Sequence, residues 1–220
     1  MIHMNTVKTI LLAGLIALGF FVQARSAHAA DTETLTLAGG CFWCVEADFE
    51  RVDGVIDAVS GFMGGTVANP TYKQVTAGRT GHYEVVQITF DPETVSRAAL
   101  LDLFFRSVDA TDGGGQFCDR GDSYRTAVFV NSPAQRKAAE AAKTQAESKL
   151  GVPVVTPILD AAEFYPADAS HQDYYKGNRL VFTRFGPKRQ SEAYKAYRDA
   201  CGRDERVREL WGSAAPFAKS

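Results

Sequence analysis

Thr34-Leu35-Thr36-Leu37-Ala38-Gly39-Gly40-Cys41-Phe42-Trp43-Cys44-Val45 changes its period half-way along. The first five residues alternate as a half-buried strand does, whereas Phe42, Val45, Phe49 and Val52 recur at helical spacing and form one apolar stripe. The pattern predicts a strand that passes through a Gly-Gly turn into a helix reaching about Val52, with Cys41 in the helix's first turn. Glycines permit the sharp turn, the first N–H groups of a helix lack partners within it, and the dipole there favours an anion. A thiol in that position is expected to be a reactive one, because the thiolate is the nucleophile.

Working outward, Val55 to Phe62 reads as a second strand closed by Gly64-Gly65, and Tyr83 to Phe90 as a third ending at Asp91-Pro92. Ser96 opens a helix whose Leu101, Phe104, Phe105 and Val108 share a face, and a fourth strand covers Arg125 to Val130. Ser132-Pro133-Ala134-Gln135 reads as a capping box with proline at the first helical position, so a long polar helix runs from Pro133 to about Leu150. A fifth strand is expected at Val152 to Leu159. The order β-α-β-β-α-β is the split βαβ arrangement: an α+β, two-layer, ferredoxin-like plait with extra helices. Two connections are long, Gly64 to His82 with its own Asn69-Pro70-Thr71 helix start, and the glycine-rich Asp109 to Tyr124. Long loops in a compact domain are where sites are built.

At the N-terminus, Lys8 precedes the apolar run Thr9 to Val22, and Ala27-His28-Ala29 supplies the small residues of a cleavage site before Ala30. Residues 1–29 are therefore expected to be a signal peptide that exports the chain, most simply to a periplasm; the apolar run is short for a membrane span, which disfavours an uncleaved anchor. A lipoprotein reading of Leu37 to Cys41 is disfavoured by the polar Asp31-Thr32-Glu33-Thr34 between it and the apolar run. Residues 30–220 are expected to be one domain with a C-terminal tail from about 176, and a monomer. Without residues 1–29 the chain carries 22 basic and 26 acidic side chains, a net charge of −4, which gives no nucleic-acid footprint.

Glu84 lies in the third strand in phase with Val86, Ile88 and Phe90. With that face inward, a carboxylic acid ends an apolar surface, where desolvation keeps it protonated and ready to donate a proton to a departing oxygen. The bland alternative is a strand-end glutamate exposed past the core.

Several blocks in this order, Gly40-Cys41-Phe42-Trp43, Ser60-Gly61-Phe62-Met63-Gly64-Gly65, Asn69-Pro70-Thr71-Tyr72, Gly81-His82-Tyr83-Glu84 and Asp119 followed by Gly121, Tyr124 and Arg125, resemble the signature of the peptide methionine sulfoxide reductase A family. The resemblance spans about Leu35 to Tyr175. It implies that Cys41 attacks the sulfoxide sulfur of oxidised methionine, that Glu84 protonates the oxygen and Tyr124 holds it, and that Phe42 and Trp43 receive the methyl group. Asp119 matches a polar residue that orients the substrate. Phe62 stands where many members have tyrosine, so a second hydroxyl on the oxygen is expected to be absent. Cys118 replaces an asparagine, Val108-Asp109-Ala110 replaces His-Asp-Pro, and the ending after His171-Gln172-Asp173-Tyr174-Tyr175 departs from the family pattern.

The family acts on the S epimer, protein-bound or free, with no bound cofactor and with an external thioredoxin-type dithiol as electron donor. A second thiol converts the Cys41 sulfenic acid to a disulfide. Three candidates remain open for that resolving role: Cys201, at a helix end on a tail expected to be mobile; Cys118, beside Asp119; and Cys44, which makes CxxC with Cys41. The rival enzyme class is a thioredoxin-like thiol–disulfide oxidoreductase using Cys41-Phe42-Trp43-Cys44, against which the element order and the Glu84 block argue. A structural zinc site on the four cysteines lacks the close second pair such sites use, and two structural disulfides would need neither the Gly-Gly turn nor the aromatic pair.

Overall fold

Strand Tyr83–Phe90 sets the middle of the molecule, and the computed structural model describes residues 32–218 around it. The signal-peptide expectation for 1–29 lies outside those residues. In chain order the elements are β1 (Glu33–Gly39), α1 (Phe42–Phe49), β2 (Val55–Met63), α2 (Tyr72–Thr76), β3 (Tyr83–Phe90), α3 (Arg97–Phe105), β4 (Gly115–Gln116), β5 (Asp119–Arg120), β6 (Thr126–Val130), α4 (Pro133–Leu150), β7 (Ile158–Asp160), β8 (Tyr165–Pro166), β9 (Leu180–Thr183), β10 (Gly186–Arg189), α5 (Gln190–Ala200) and α6 (Arg203–Trp211).

The main sheet runs β7-β6-β1-β3-β2-β8. Its inner four strands pair antiparallel in the order of the expected plait, with Leu35 opposite Ile88, Leu37 opposite both Val86 and Val128, and Phe62 opposite Glu84. Because opposed residues share a face, Val86, Ile88 and Phe90 line up with Leu35, Leu37 and Val128 beneath the helices. They form one fully buried cluster with Phe42, Val45 and Phe49 of α1, Leu100, Leu101, Phe104 and Phe105 of α3, and the alanines Ala139, Ala142 and Ala146 of α4. The other face carries a smaller cluster of Ala38, Met63, Tyr83, Val85, Ala127 and Phe129.

Helix starts follow their caps. Ser96 Oγ accepts from Ala99 N–H and Ser132 Oγ from Gln135 N–H, each at 3.2 Å. The second half of the expected box at Ser132 is replaced: the Gln135 side chain accepts from Asn131 N–H at 3.0 Å and donates to Thr34 O at 2.8 Å, tying α4 to β1.

Three expectations change. Helix α1 ends at Phe49, so Cys41 is its N-cap instead of a residue of its first turn. The fifth strand is confined to Ile158–Asp160, parallel to β6, because Pro153 and Pro157 remove N–H donors from the segment before it. The C-terminal region is no mobile tail. Buried Asp48 of α1 holds Arg198 of α5 at 2.9 Å and faces Arg203 of α6 at 3.9 Å, while the Arg203 guanidinium donates to Gly39 O (3.1 Å) and Ser107 O (3.0 Å). Ala193 and Tyr194 pack on Cys44 and Ala47. Sequence separation of some 150 residues hid this pairing. Two hairpins, β4–β5 and β9–β10, are also additions to the expected plan.

Candidate active site

Gly40 adopts φ +84°, and a Cβ there would lie 2.6 Å from Cβ of buried Gln116, so only glycine lets the chain pass from β1 to α1 against the 109–124 loop. The turn delivers Cys41 as N-cap. The next residue, Phe42, donates its N–H to Glu84 Oε2 at 3.0 Å, which brings the third strand's acid to the start of the cysteine's helix. Glu84 is 1 % exposed and its Oε1 is buried with no hydrogen-bond partner. The exposed strand-end alternative is thereby displaced. Burial pushes the Glu84 carboxyl up to about 8, with the charge of Asp119 adding to it and the Phe42 N–H opposing it, so the group holds its proton at neutral pH.

Two phenols face this acid. The hydroxyls of Tyr124 and Tyr72 lie near enough to influence each other, and both are raised, first by burial and next by Glu84, so they remain donors. Tyr72 is the first residue of α2, held there by a reciprocal capping box between Thr71 and Gln74, and its ring stacks on His171 at 4.2 Å between centroids. Phe62 supplies no hydroxyl, as expected from its type, but Tyr72 brings a second one to the cavity beside Tyr124. The signal was present in Asn69-Pro70-Thr71-Tyr72, where the proline and the capping threonine dictate a helix start and thereby the position of the tyrosine.

Phe62 and Phe42 are 1 % exposed, with ring centroids 5.8 Å apart, and belong to the core behind the site instead of its wall. The wall is aromatic nonetheless. Trp43 stacks on Tyr174 at 3.7 Å and 6° and on His171 at 5.7 Å, and these rings line a cavity of about 500 Å³ together with Cys41, Tyr72, Tyr124 and Asp119. Such a wall suits a thioether methyl and sulfur. Asp119, in β5, is itself raised by burial against the opposing charges of Arg203 and Arg184.

The cysteines divide into two pairs. Cys41 and Cys44 are free thiols in hydrogen-bond contact. The Cys41 thiol is held well above its ordinary range by that bond, then by burial, then by negative charge on Cys44, Glu84 and Asp119; Cys44 is lowered by the same bond, aided by Arg203 and Arg198. The activation expected from the helix start is thus offset in the resting site. Cys118, at the exposed turn of the β4–β5 hairpin, is disulfide-bonded to Cys201, the C-cap of α5, with Cα atoms 4.9 Å apart. Cys201 lines the same cavity as Cys41.

Residues 33–211 match the family model described as peptide methionine sulfoxide reductase. The chain belongs to the peptide methionine sulfoxide reductase family. It is 47% identical over 189 residues to peptide methionine sulfoxide reductase MsrA 2 of Rhizobium meliloti, covering 86% of this chain and 88% of the relative. Among solved structures it is similar to Mxr1 of Saccharomyces cerevisiae in reduced form (TM-score 0.64, 31% identity, 67% of this chain and 86% of that one). It is also similar to methionine sulfoxide reductase A of Corynebacterium diphtheriae (TM-score 0.62, 30% identity, 72% and 80%). The protein is a thiol-dependent methionine sulfoxide reductase, and the thioredoxin-like reading of its CxxC is set aside.

Proposed function

We propose that the cavity reduces methionine-S-sulfoxide, free or in a polypeptide, with Cys41 as nucleophile, Glu84 as proton donor and Tyr72 and Tyr124 as donors to the sulfoxide oxygen. The observation that carries this reading is the buried carboxyl of Glu84, protonated at neutral pH, at the start of the helix that Cys41 caps. The Cys41 sulfur attacks the sulfoxide sulfur while Glu84 passes its proton to the oxygen, and the Cys41 thiol proton is released to Glu84. The oxygen then passes to Cys41 as sulfenic acid and methionine departs, so the proton count in the cavity is unchanged. Trp43, held flat by Tyr174 and His171, takes the methyl group and sorts the epimers by shape.

The disulfide supports a two-step recovery. Cys201 condenses with the sulfenic acid to give Cys41–Cys201 and water; Cys118 then displaces Cys41 from Cys201, leaving Cys118–Cys201 and a regenerated Cys41 thiol. The Cys118–Cys201 pairing, with Cys41 free and Cys118 exposed, is the arrangement that such a sequence would leave. A thioredoxin-type dithiol reduces the exposed pair, no bound cofactor takes part, and the enzyme acts as an exported, periplasmic monomer. Incubating the pre-reduced protein with separate S and R epimers of a methionine sulfoxide peptide and dithiothreitol tests the reading: conversion of S alone, abolished in Cys41→Ser, is expected, and equal conversion of R or full activity in Cys41→Ser would refute it.

A further inference from the structure

Chemistry uses the cavity and leaves the hairpin at its rim without a role. Val181, Phe182 and Thr183 of β9 all border the cavity, and alternation leaves Leu180 and Phe182 open to solvent at its rim, 63 % and 89 % exposed. Pro187 lies opposite Phe182 and Arg189 opposite Leu180, both exposed, so the outer face is an apolar patch with a basic border. Phe182 is the most exposed large apolar side chain among the described residues. Within those residues β9 and β10 pair only with each other, so each keeps an open edge.

The charge pattern is one-sided. Residues 174–191 contain Lys176, Arg179, Arg184, Lys188 and Arg189 and no acid, in a chain that is acidic overall. Lys176 is paired with Glu50 and Asp173, but the other four form no salt bridge among the described residues; Arg184 lies over the rings of Phe185 and Tyr197, and Arg189 donates to Asn178 O.

We propose that the β9–β10 hairpin is the docking surface for an extended segment of oxidised polypeptide, apolar and acidic around the methionine sulfoxide that enters the cavity. The inference rests on the cavity being the reductase site. A side chain inserted there must lay its flanking backbone across the rim, where an open strand edge offers main-chain hydrogen bonds and exposed Leu180 and Phe182 offer apolar contact. The unpaired cations draw acidic flanks to the same place.

The test uses dithiothreitol as reductant and three substrates: N-acetyl-methionine-S-sulfoxide, a short peptide with the sulfoxide flanked by valine and glutamate, and its lysine-flanked counterpart. The glutamate peptide is expected to exceed the lysine peptide in kcat/KM, less so at high salt, and Lys188→Glu with Arg189→Glu should reverse that order. Leu180→Ser with Phe182→Ser should lower kcat/KM for the glutamate peptide about tenfold relative to the small substrate, mostly through KM. Binding of the same peptide, fluorescein-labelled, to Cys41→Ser should weaken in parallel. Equal losses on both substrates, no loss, or a loss seen only when a thioredoxin-type protein replaces dithiothreitol would overturn the proposal, the last assigning the face to the reductant. Retained peptide binding without turnover of any substrate would sink the reductase reading and not the docking surface.

Discussion

Replacing Glu84 by glutamine removes one proton and little else. The amide keeps an oxygen for the Phe42 N–H that now donates to Oε2 at 3.0 Å, and a neutral group is no harder to bury than the protonated acid it replaces. With its carboxyl pushed up to about 8, Glu84 is about 90 % protonated at pH 7, whereas a carboxyl at the ordinary 4.5 would be about 0.3 % protonated; burial therefore enriches the donor about 300-fold. Loss of a general acid costs about 10²–10⁴ in rate, and Tyr72 and Tyr124 still bind the oxygen in the variant, so a fall of about 10²–10³ in the reductase step is expected. The assay is single turnover: pre-reduced enzyme in excess over methionine-S-sulfoxide peptide, quenched and analysed for methionine. The wild-type rate should fall as pH rises through about 8, when Glu84 loses its proton, and the variant should lack that limb. Rates within a few-fold of wild type, or the same limb in both proteins, would show that the proton comes from another group.

The other expectations concern the phenols, the recovery thiols, the tail and the pH dependence of stability. Tyr72→Phe should slow single turnover by about tenfold or more, as the loss of a hydrogen bond to a charged oxygen does, while Phe62→Tyr should leave it unchanged; the reverse result would return the second hydroxyl to position 62. Cys201→Ser should retain one stoichiometric turnover and lose cycling with a thioredoxin-type donor, and Cys118→Ser should accumulate Cys41–Cys201 on peptide mapping; unimpaired cycling in both would move the resolving role to Cys44. Asp48→Ala removes the buried carboxylate between Arg198 and Arg203, but Arg198 keeps Asp204 at 2.7 Å and Arg203 keeps two carbonyls, so the cost should be about 2–3 kcal/mol, below that of a fully unpaired buried charge, read as a drop of about 4–12 °C in Tm; a change of a degree or two would show that the tail is held without Asp48. Glu46, buried and bonded to the Ser60 hydroxyl and the Asp173 N–H, is pushed up to about 7 by burial, so the folded chain keeps a proton that the unfolded chain releases from about pH 4.5. Its contribution is full below about pH 4.5 and is lost as pH rises through about 7; Glu46→Gln should therefore flatten the decline in Tm between pH 5 and 8, and an unchanged slope would assign the decline elsewhere.

Local pattern determined much of this protein. The switch from alternation to helical spacing across Gly39-Gly40-Cys41 set the strand–turn–helix, the phase of Glu84 with Val86, Ile88 and Phe90 pointed its carboxyl into the apolar face, and Ser96 and Ser132 marked helix starts. Each of these depends on neighbours within a few residues, which is the range over which sequence periodicity and capping carry information. Tyr72 was half legible: its helix start could be read, but not that α2 packs its ring on His171 and brings it to the same cavity as Tyr124. Only the tertiary structure decided the rest. Asp48 and Arg198 stand 150 residues apart, Cys118 and Cys201 are separated by 83, and neither pairing leaves a local trace because each needs three-dimensional closure of the chain. The state of Cys41 is partly tertiary in the same sense: a helix start predicts an eased thiol, and the opposing contact with Cys44 is local to α1, but the burial and the charges of Glu84 and Asp119 that raise it further arise only once β3, β5 and α1 have met.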